Sequence, residues 1–262
     1  MQIAEHFRAH LYRYGWVLLV IVAGYAAFQA AAPGELEFVE LSSPKGFRTL
    51  VVNGNSSAFN PLQGLPWDTG SSEPSRSTEQ EAGSVCQMLL HDETSPVGGR
   101  RDGTVSVVEF FDYRCPYCKV LTEILSKLQA DGLVHVIYKE WPILGEGSVL
   151  GARAALAAGK QGKYLEVHER LMQSRLIPTM GYVEHLSGQL DINQEQLMKD
   201  MFSEETTLTL RRNAALASKL GLTGTPVLVV GRTFVQGAVT QKQLERLIAL
   251  ERSAGPVCGR GG

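Results

Sequence analysis

The stretch VSVVEFFDYRCPYCKVLTEILSKLQADGLVHVIYKEW, residues 105–141, constrains the fold of this 262-residue chain more than any other. VSVVEFF is β-branched and aromatic and reads as a strand. From Pro116 to about Ala130, Val120, Leu121, Ile124, Leu125 and Leu128 recur on one helical face, and Gly132 ends the pattern. LVHVIYKEW is a second strand. Two strands joined by one helix at this spacing form a βαβ unit with parallel pairing.

The remainder extends this unit. Upstream, VCQMLL and the turn-rich HDETSPVGGRRDG open the globular region near Cys86. Downstream, helical sequence runs from about Ser148 to Leu220, with Asp191 as a candidate N-cap and Gly221 as a C-terminal stop. GTPVLVVG then gives a strand, and GRTFVQGAV its hairpin partner with Gly231 at the turn. A last amphipathic helix starts at Gln241, with Leu244, Leu247, Ile248 and Leu250 as its apolar positions. The order is βαβ, helices, ββα.

The N-terminal third has a different character. Residues 16–32, WVLLVIVAGYAAFQAAA, carry no charge and would span roughly 26 Å as a helix, near the lower limit for a bilayer. Arg8 and Arg13 precede this stretch; Glu35, Glu37 and Glu40 follow it. The bias predicts a cytoplasmic N-terminus at 1–14, a transmembrane anchor at 15–32 and an exported remainder. A cleaved signal peptide is the competing reading, although Pro33 follows its AxA-like site poorly. Residues 33–84 are rich in Ser, Gly, Pro and Asn and read as a linker in the exported part, in which FRTLVV could form a strand or dock on a partner and Asn55–Ser57 matches a glycosylation sequon. The formal net charge of −2 gives no basic face for nucleic acid.

An exported CxxC beside a βαβ pattern points to thiol–disulfide chemistry. Cys115 falls at the strand–helix junction, where Pro116 suits the first helical turn. As N-cap, its sulfur would meet free backbone N–H groups and the positive helix end, which favour thiolate. Cys118 lies one turn on and deeper, so Cys115 is the expected exposed attacker and Cys118 the resolver. Glu109 interrupts the apolar strand. Buried and unpaired, it would have a raised pKa and could exchange a proton with Cys118; alternatively it points to a sheet edge and meets a lysine or water. Thr225–Pro226 precedes the VLVV strand. X-Pro is the common cis bond, and the residue before it could offer backbone to an extended substrate.

Cys86 and Cys258 fit no zinc spacing. They could tie the ends of the globular region by a disulfide, or remain free or intermolecular thiols. No cofactor is expected. The CxxC thiolates could instead hold copper or zinc, but the six histidines are scattered, and His168 and His185 read as surface positions on helices. A binding module with the CxxC as a mere staple is the third reading.

EFFDYRCPYCK, then YKEWPILGEGS, a helical stretch and GTPVLVVG resemble the DsbA family of bacterial periplasmic thiol–disulfide oxidoreductases, over about residues 86–252. The resemblance implies an α/β thioredoxin fold with an inserted α-helical domain. Pro226 follows Cys118 by 108 residues, too far for bare thioredoxin or glutaredoxin. It places the thioredoxin domain at 85–147 and 221–255, the helical insertion at 148–220 and a tail at 256–262. It also implies that Cys115 is the nucleophile, Cys118 the resolver, Glu109 the buried acid and Pro226 the cis proline after Thr225. Substrate contacts would fall on Thr225, Pro226, Pro116 and Tyr117. Expected partners are unfolded or misoxidised exported proteins and a DsbB-like or DsbD-like membrane redox partner. The best-known oxidase of the family has His where this chain has Tyr117, which supplies no cation. CPYC also occurs in ScsC-like members, some of which are isomerases, so oxidase and isomerase both stay open.

Overall fold

A computed structural model of the chain describes residues 36–51, 76–102, 104–255 and 258. The expected anchor at 15–32, the sequon and much of the expected linker lie outside these residues. Among the described residues, no helix is long and apolar enough to cross a membrane.

The elements in chain order are β1 (Glu37–Glu40), β2 (Arg48–Val51), α1 (Arg76–Leu90), β3 (Val97–Gly98), β4 (Val105–Phe111), α2 (Pro116–Ala130) and β5 (Val134–Glu140). Five helices follow: α3 (Glu146–Gly159), α4 (Tyr164–Gln173), α5 (Met180–Gln189), α6 (Gln194–Met201) and α7 (Glu204–Lys219). The chain then returns through β6 (Val227–Val230), β7 (Thr233–Gln236) and α8 (Gln241–Ala254). The sheet order is β1-β2-β7-β6-β4-β5-β3.

The βαβ expectation is met. β4 and β5 pair in parallel, with Glu109 opposite Tyr138, and β6 runs antiparallel on the other side of β4, with Glu109 opposite Leu228. Every residue of β5 and β6 is buried, as is every residue of β4 except Ser106. Helices cover both faces of such a sheet, so its strands read as apolar runs rather than alternating ones. Val107 and Phe111 join the core cluster that also contains Leu121, Leu125 and Leu128 of α2 and Leu244, Leu247 and Ile248 of α8. Val108 and Phe110 face the other way, toward Val85 and Leu89 of α1 and Leu216 of α7. Glu109 therefore shares the face covered by α2.

Several local expectations are corrected. Residues 36–51 are not a free tether: β1 and β2 extend the sheet beyond β7, and Phe47 and Leu50 are buried. Arg48 fastens this hairpin, pairing with Glu251 at 2.7 Å, donating to Thr233 Oγ1 at 2.8 Å and lying 3.8 Å over the Phe38 ring. α1 begins at Arg76, well before Cys86. Asp191 does not cap a helix; it takes φ 52°, and Asn193 caps α6 by accepting from the Gln196 N–H. Val120 and Leu250 are exposed, because each stands about 100° around its helix from the buried stripe. Gly231 at the β6–β7 turn has φ 54°, and a Cβ there would meet Glu251 Oε2 at 2.5 Å. Only glycine allows that carboxylate so close to the turn.

Cys86 in α1 and Cys258 are joined by a disulfide, with 5.8 Å between their Cα atoms and a sequence separation of 172. A cross-link closing so long a loop restricts the unfolded chain strongly. Replacing both cysteines by serine is expected to lower the unfolding free energy by about 2–4 kcal/mol. A urea midpoint equal to that of the parent would contradict this.

Candidate active site

The end of β4 and the start of α2 build the site. Cys115 is the N-cap of α2, with extended backbone (φ −76°, ψ 117°), and Pro116 takes the first helical position. Its Sγ accepts the Cys118 backbone N–H at 3.3 Å. Because β6 runs antiparallel to β4, its leading residues arrive beside the CxxC. The Cys115 thiol donates to the Thr225 carbonyl at 3.4 Å, and the Thr225–Pro226 bond is cis. Two segments 110 residues apart thus meet at one sulfur.

The two thiols differ sharply in acidity. A hydrogen bond from the Cys118 side chain, opposed by burial and joined by contacts from Thr225 and the backbone N–H groups of Cys118 and Tyr117, lowers the Cys115 thiol to about 6. Burial, then the neighbouring Cys115, pushes the Cys118 thiol far up, and the charge of Glu109 adds to this. Cys115 is less open than the sequence suggests: it is 4% exposed, against 0% for Cys118. Thr225 lies against its sulfur, a long-range contact that no local pattern shows.

Glu109 is wholly buried in a central strand, away from any sheet edge, and neither carboxylate oxygen has a hydrogen-bond partner. Burial, then the charge of Cys115, raises it to about 8. Asp112 organises the turn before Cys115. One oxygen accepts from the Arg114 N–H and the Ser148 hydroxyl, both at 2.7 Å; the other accepts from the N–H groups of Ile143 and Leu144 at 2.8 and 2.9 Å. This binds the CxxC turn to the β5–α3 loop. Arg114 also donates to the Leu144 carbonyl.

Sequence reading missed a buried polar cluster on the same sheet face. Glu140 accepts from Tyr113 at 2.7 Å and from Tyr164 at 2.9 Å. His168 stands 3.2 Å from the Tyr113 hydroxyl and is 1% exposed, correcting its expected surface position; burial lowers it to about 3. The available signal was the pair Lys139–Glu140 closing an apolar strand. Lys139 leaves the opposite face and pairs with Asp92 at 2.7 Å. Among the described residues, no group of three His, Cys, Asp or Glu is placed to hold a metal ion.

A thioredoxin-like sheet with an N-capping CxxC thiol held against a cis-proline loop defines a thiol–disulfide oxidoreductase. The family model for the DSBA-like thioredoxin domain matches residues 106–249, more than half of the chain, and the chain belongs to that family. It is 43% identical to a thioredoxin-like oxidoreductase from Silicibacter pomeroyi DSS-3, covering 64% of this chain and 98% of that one, with a TM-score of 0.61. The catalytic domain of Proteus mirabilis ScsC is 31% identical, with 65% and 98% coverage and a TM-score of 0.59. Disulfide bond formation protein D of Bacillus subtilis is 28% identical over 169 residues, 60% of this chain and 76% of that protein.

Proposed function

We propose that this chain exchanges disulfides with unfolded or misoxidised exported proteins in the periplasm through Cys115 and Cys118. The observation that carries the reading is the contrast between an N-capping thiol near 6 and a buried partner pushed far up. At neutral pH the first is a thiolate nucleophile and the second a thiol in reserve.

In the oxidising direction, a substrate thiolate attacks Sγ of Cys115 in the Cys115–Cys118 disulfide. The S–S bond breaks, and Cys118 leaves as a thiolate that takes a proton from Glu109. A second substrate thiolate then attacks the substrate sulfur joined to Cys115 and releases the Cys115 thiolate. The substrate is oxidised and the pair reduced. Reduction runs the same steps backward, with Glu109 accepting the Cys118 proton. A carboxyl near 8 is suited to both transfers.

Thr225, Pro226, Pro116 and Tyr117 are the substrate contacts in this reading. Tyr117 is 63% exposed, and Val120, Ile143, Leu144, Leu176 and Ile177 are exposed apolar side chains on α2 and on the β5–α3 and α4–α5 loops. An apolar rim of this kind suits unfolded chain rather than a folded partner. A thiol near 6 lies between the ~3.5 of strongly oxidising sites and the ~7 of reducing ones. This favours an intermediate potential, suited to shuffling disulfides as well as forming them. Residues 15–32 would anchor the chain in the inner membrane by a single pass, and a DsbB-like or DsbD-like membrane protein would reset the pair.

Titrating thiolate absorbance, equilibrating with glutathione and assaying refolding of a scrambled-disulfide substrate test this together. The expected results are a thiol near 6, an intermediate potential and catalysed refolding. A potential below about −300 mV without catalysis, the behaviour of a structural disulfide, would overturn it.

A further inference from the structure

The residue after the CxxC makes contacts that the exchange steps above do not use. Lys119 extends its ammonium across to the end of α4, where Nζ donates to the carbonyls of Leu171 at 3.1 Å, Met172 at 3.1 Å and Ser174 at 2.6 Å. An ammonium has three N–H donors, and here all three are engaged. The last carbonyls of a helix have no partner within it and carry the negative end of its dipole, so a cation there is favourable. A lysine in the first turn of α2 is, by contrast, poorly placed for its own helix, whose N-terminus is already positive. It follows Cys118 directly and stands one helical turn after Cys115, whose carbonyl accepts the Lys119 N–H at 3.2 Å, so its charge is carried on the same turn as both sulfurs.

The charge environment of Cys115 gives the second half. Glu109 and Asp112 lie at the same end of β4, and a negative charge on either opposes a thiolate. Tyr117 adds no cation. Arg114 directs its guanidinium to the Leu144 carbonyl. We infer that Lys119 is a positioning residue that clamps the catalytic helix α2 to the C-terminal end of α4 and supplies the positive charge beside Cys115 that Tyr117 lacks. Both cysteines and Asp112 act electrostatically on its ammonium, while partial burial, the largest influence, lowers its own proton affinity. The hydrogen bonds to Sγ remain the main cause of the acidity of Cys115, so the share from Lys119 is the smaller one.

This inference rests on Cys115 being the acidic thiol, and one set of measurements separates the two. In the full reduced chain, thiolate absorbance against pH reads Cys115 alone, because Cys118 titrates far higher. Lys119→Met is expected to raise the Cys115 pKa by about half a unit to one unit. It is also expected to make the disulfide less oxidising by about 3- to 10-fold in its equilibrium with glutathione. Lys119→Arg keeps the charge and is expected to stay near the parent. A parent thiol with an ordinary pKa would sink the proposed function itself. A low parent pKa that Lys119→Met leaves unchanged, with only the melting temperature falling, would leave Lys119 a clamp and overturn its electrostatic role. If the methionine variant does not fold, Lys119→Gln, which keeps donors for the carbonyls and removes the charge, gives the same decision.

Discussion

Cys115→Ser is expected to reduce catalysed disulfide exchange to background, a loss on the order of a thousand-fold or more. The serine can still cap α2, so the fold should survive while the chemistry does not. Cys118→Ser should behave differently. It keeps the acidic thiol but removes the resolver, so covalent adducts between Cys115 and substrate should accumulate on non-reducing gels. In the parent, attack on a substrate disulfide should rise with pH through about 6, as the Cys115 thiolate forms, and level off above it. Retained exchange in the Cys115→Ser chain, or adducts formed through Cys118, would reverse the assigned roles.

Glu109→Gln is expected to stabilise the protein at alkaline pH and to slow resolution of the mixed disulfide. The fold favours the neutral carboxyl, since burial raises Glu109 to about 8. Its contribution to stability is fully present below the unfolded-chain value of about 4.3 and is lost as pH rises through about 8. By pH 9 the parent has lost on the order of 5 kcal/mol that the amide variant keeps. At pH 4 the two should match. Urea unfolding of the reduced proteins at the two pH values measures this, and a gap that does not change with pH would show that the carboxyl is compensated. The kinetic arm is separate: without an acceptor at Glu109, the Cys118 thiol must lose its proton to solvent from a wholly buried position.

The fold was legible wherever the signal was local. The strand, the helix from Pro116 to Ala130 and the second strand are periodic, and Pro116 and Gly132 mark the helix ends by backbone chemistry. Sequence reading failed where neighbours were remote. Arg48 recruits the β1–β2 hairpin to the sheet through Glu251 and Thr233, partners about 200 positions away. FRTLVV suggested a strand, but nothing in it named the sheet it joins or the partners that hold it. His168 is enclosed by Phe111 of β4, Tyr138 of β5 and Tyr113 of the turn before α2, besides Tyr164 one turn back in its own helix. Asp191 and Asn193 are both plausible caps by residue type, and only the backbone path selects Asn193.

The sequence by itself determined the pair proposed to react and its arrangement: an N-cap sulfur followed one turn later by a deeper one, with an acid in the strand beneath. These follow from helix periodicity and from proline's missing N–H, which act over a few residues. The tertiary structure decided how reactive that pair is. Thr225 at the sulfur, Glu109 without a partner and Lys119 tied to α4 all depend on segments brought together by the sheet and the intervening helices. Thiol acidity is set by desolvation and by dipoles a few ångströms away, and those distances exist only in the folded chain.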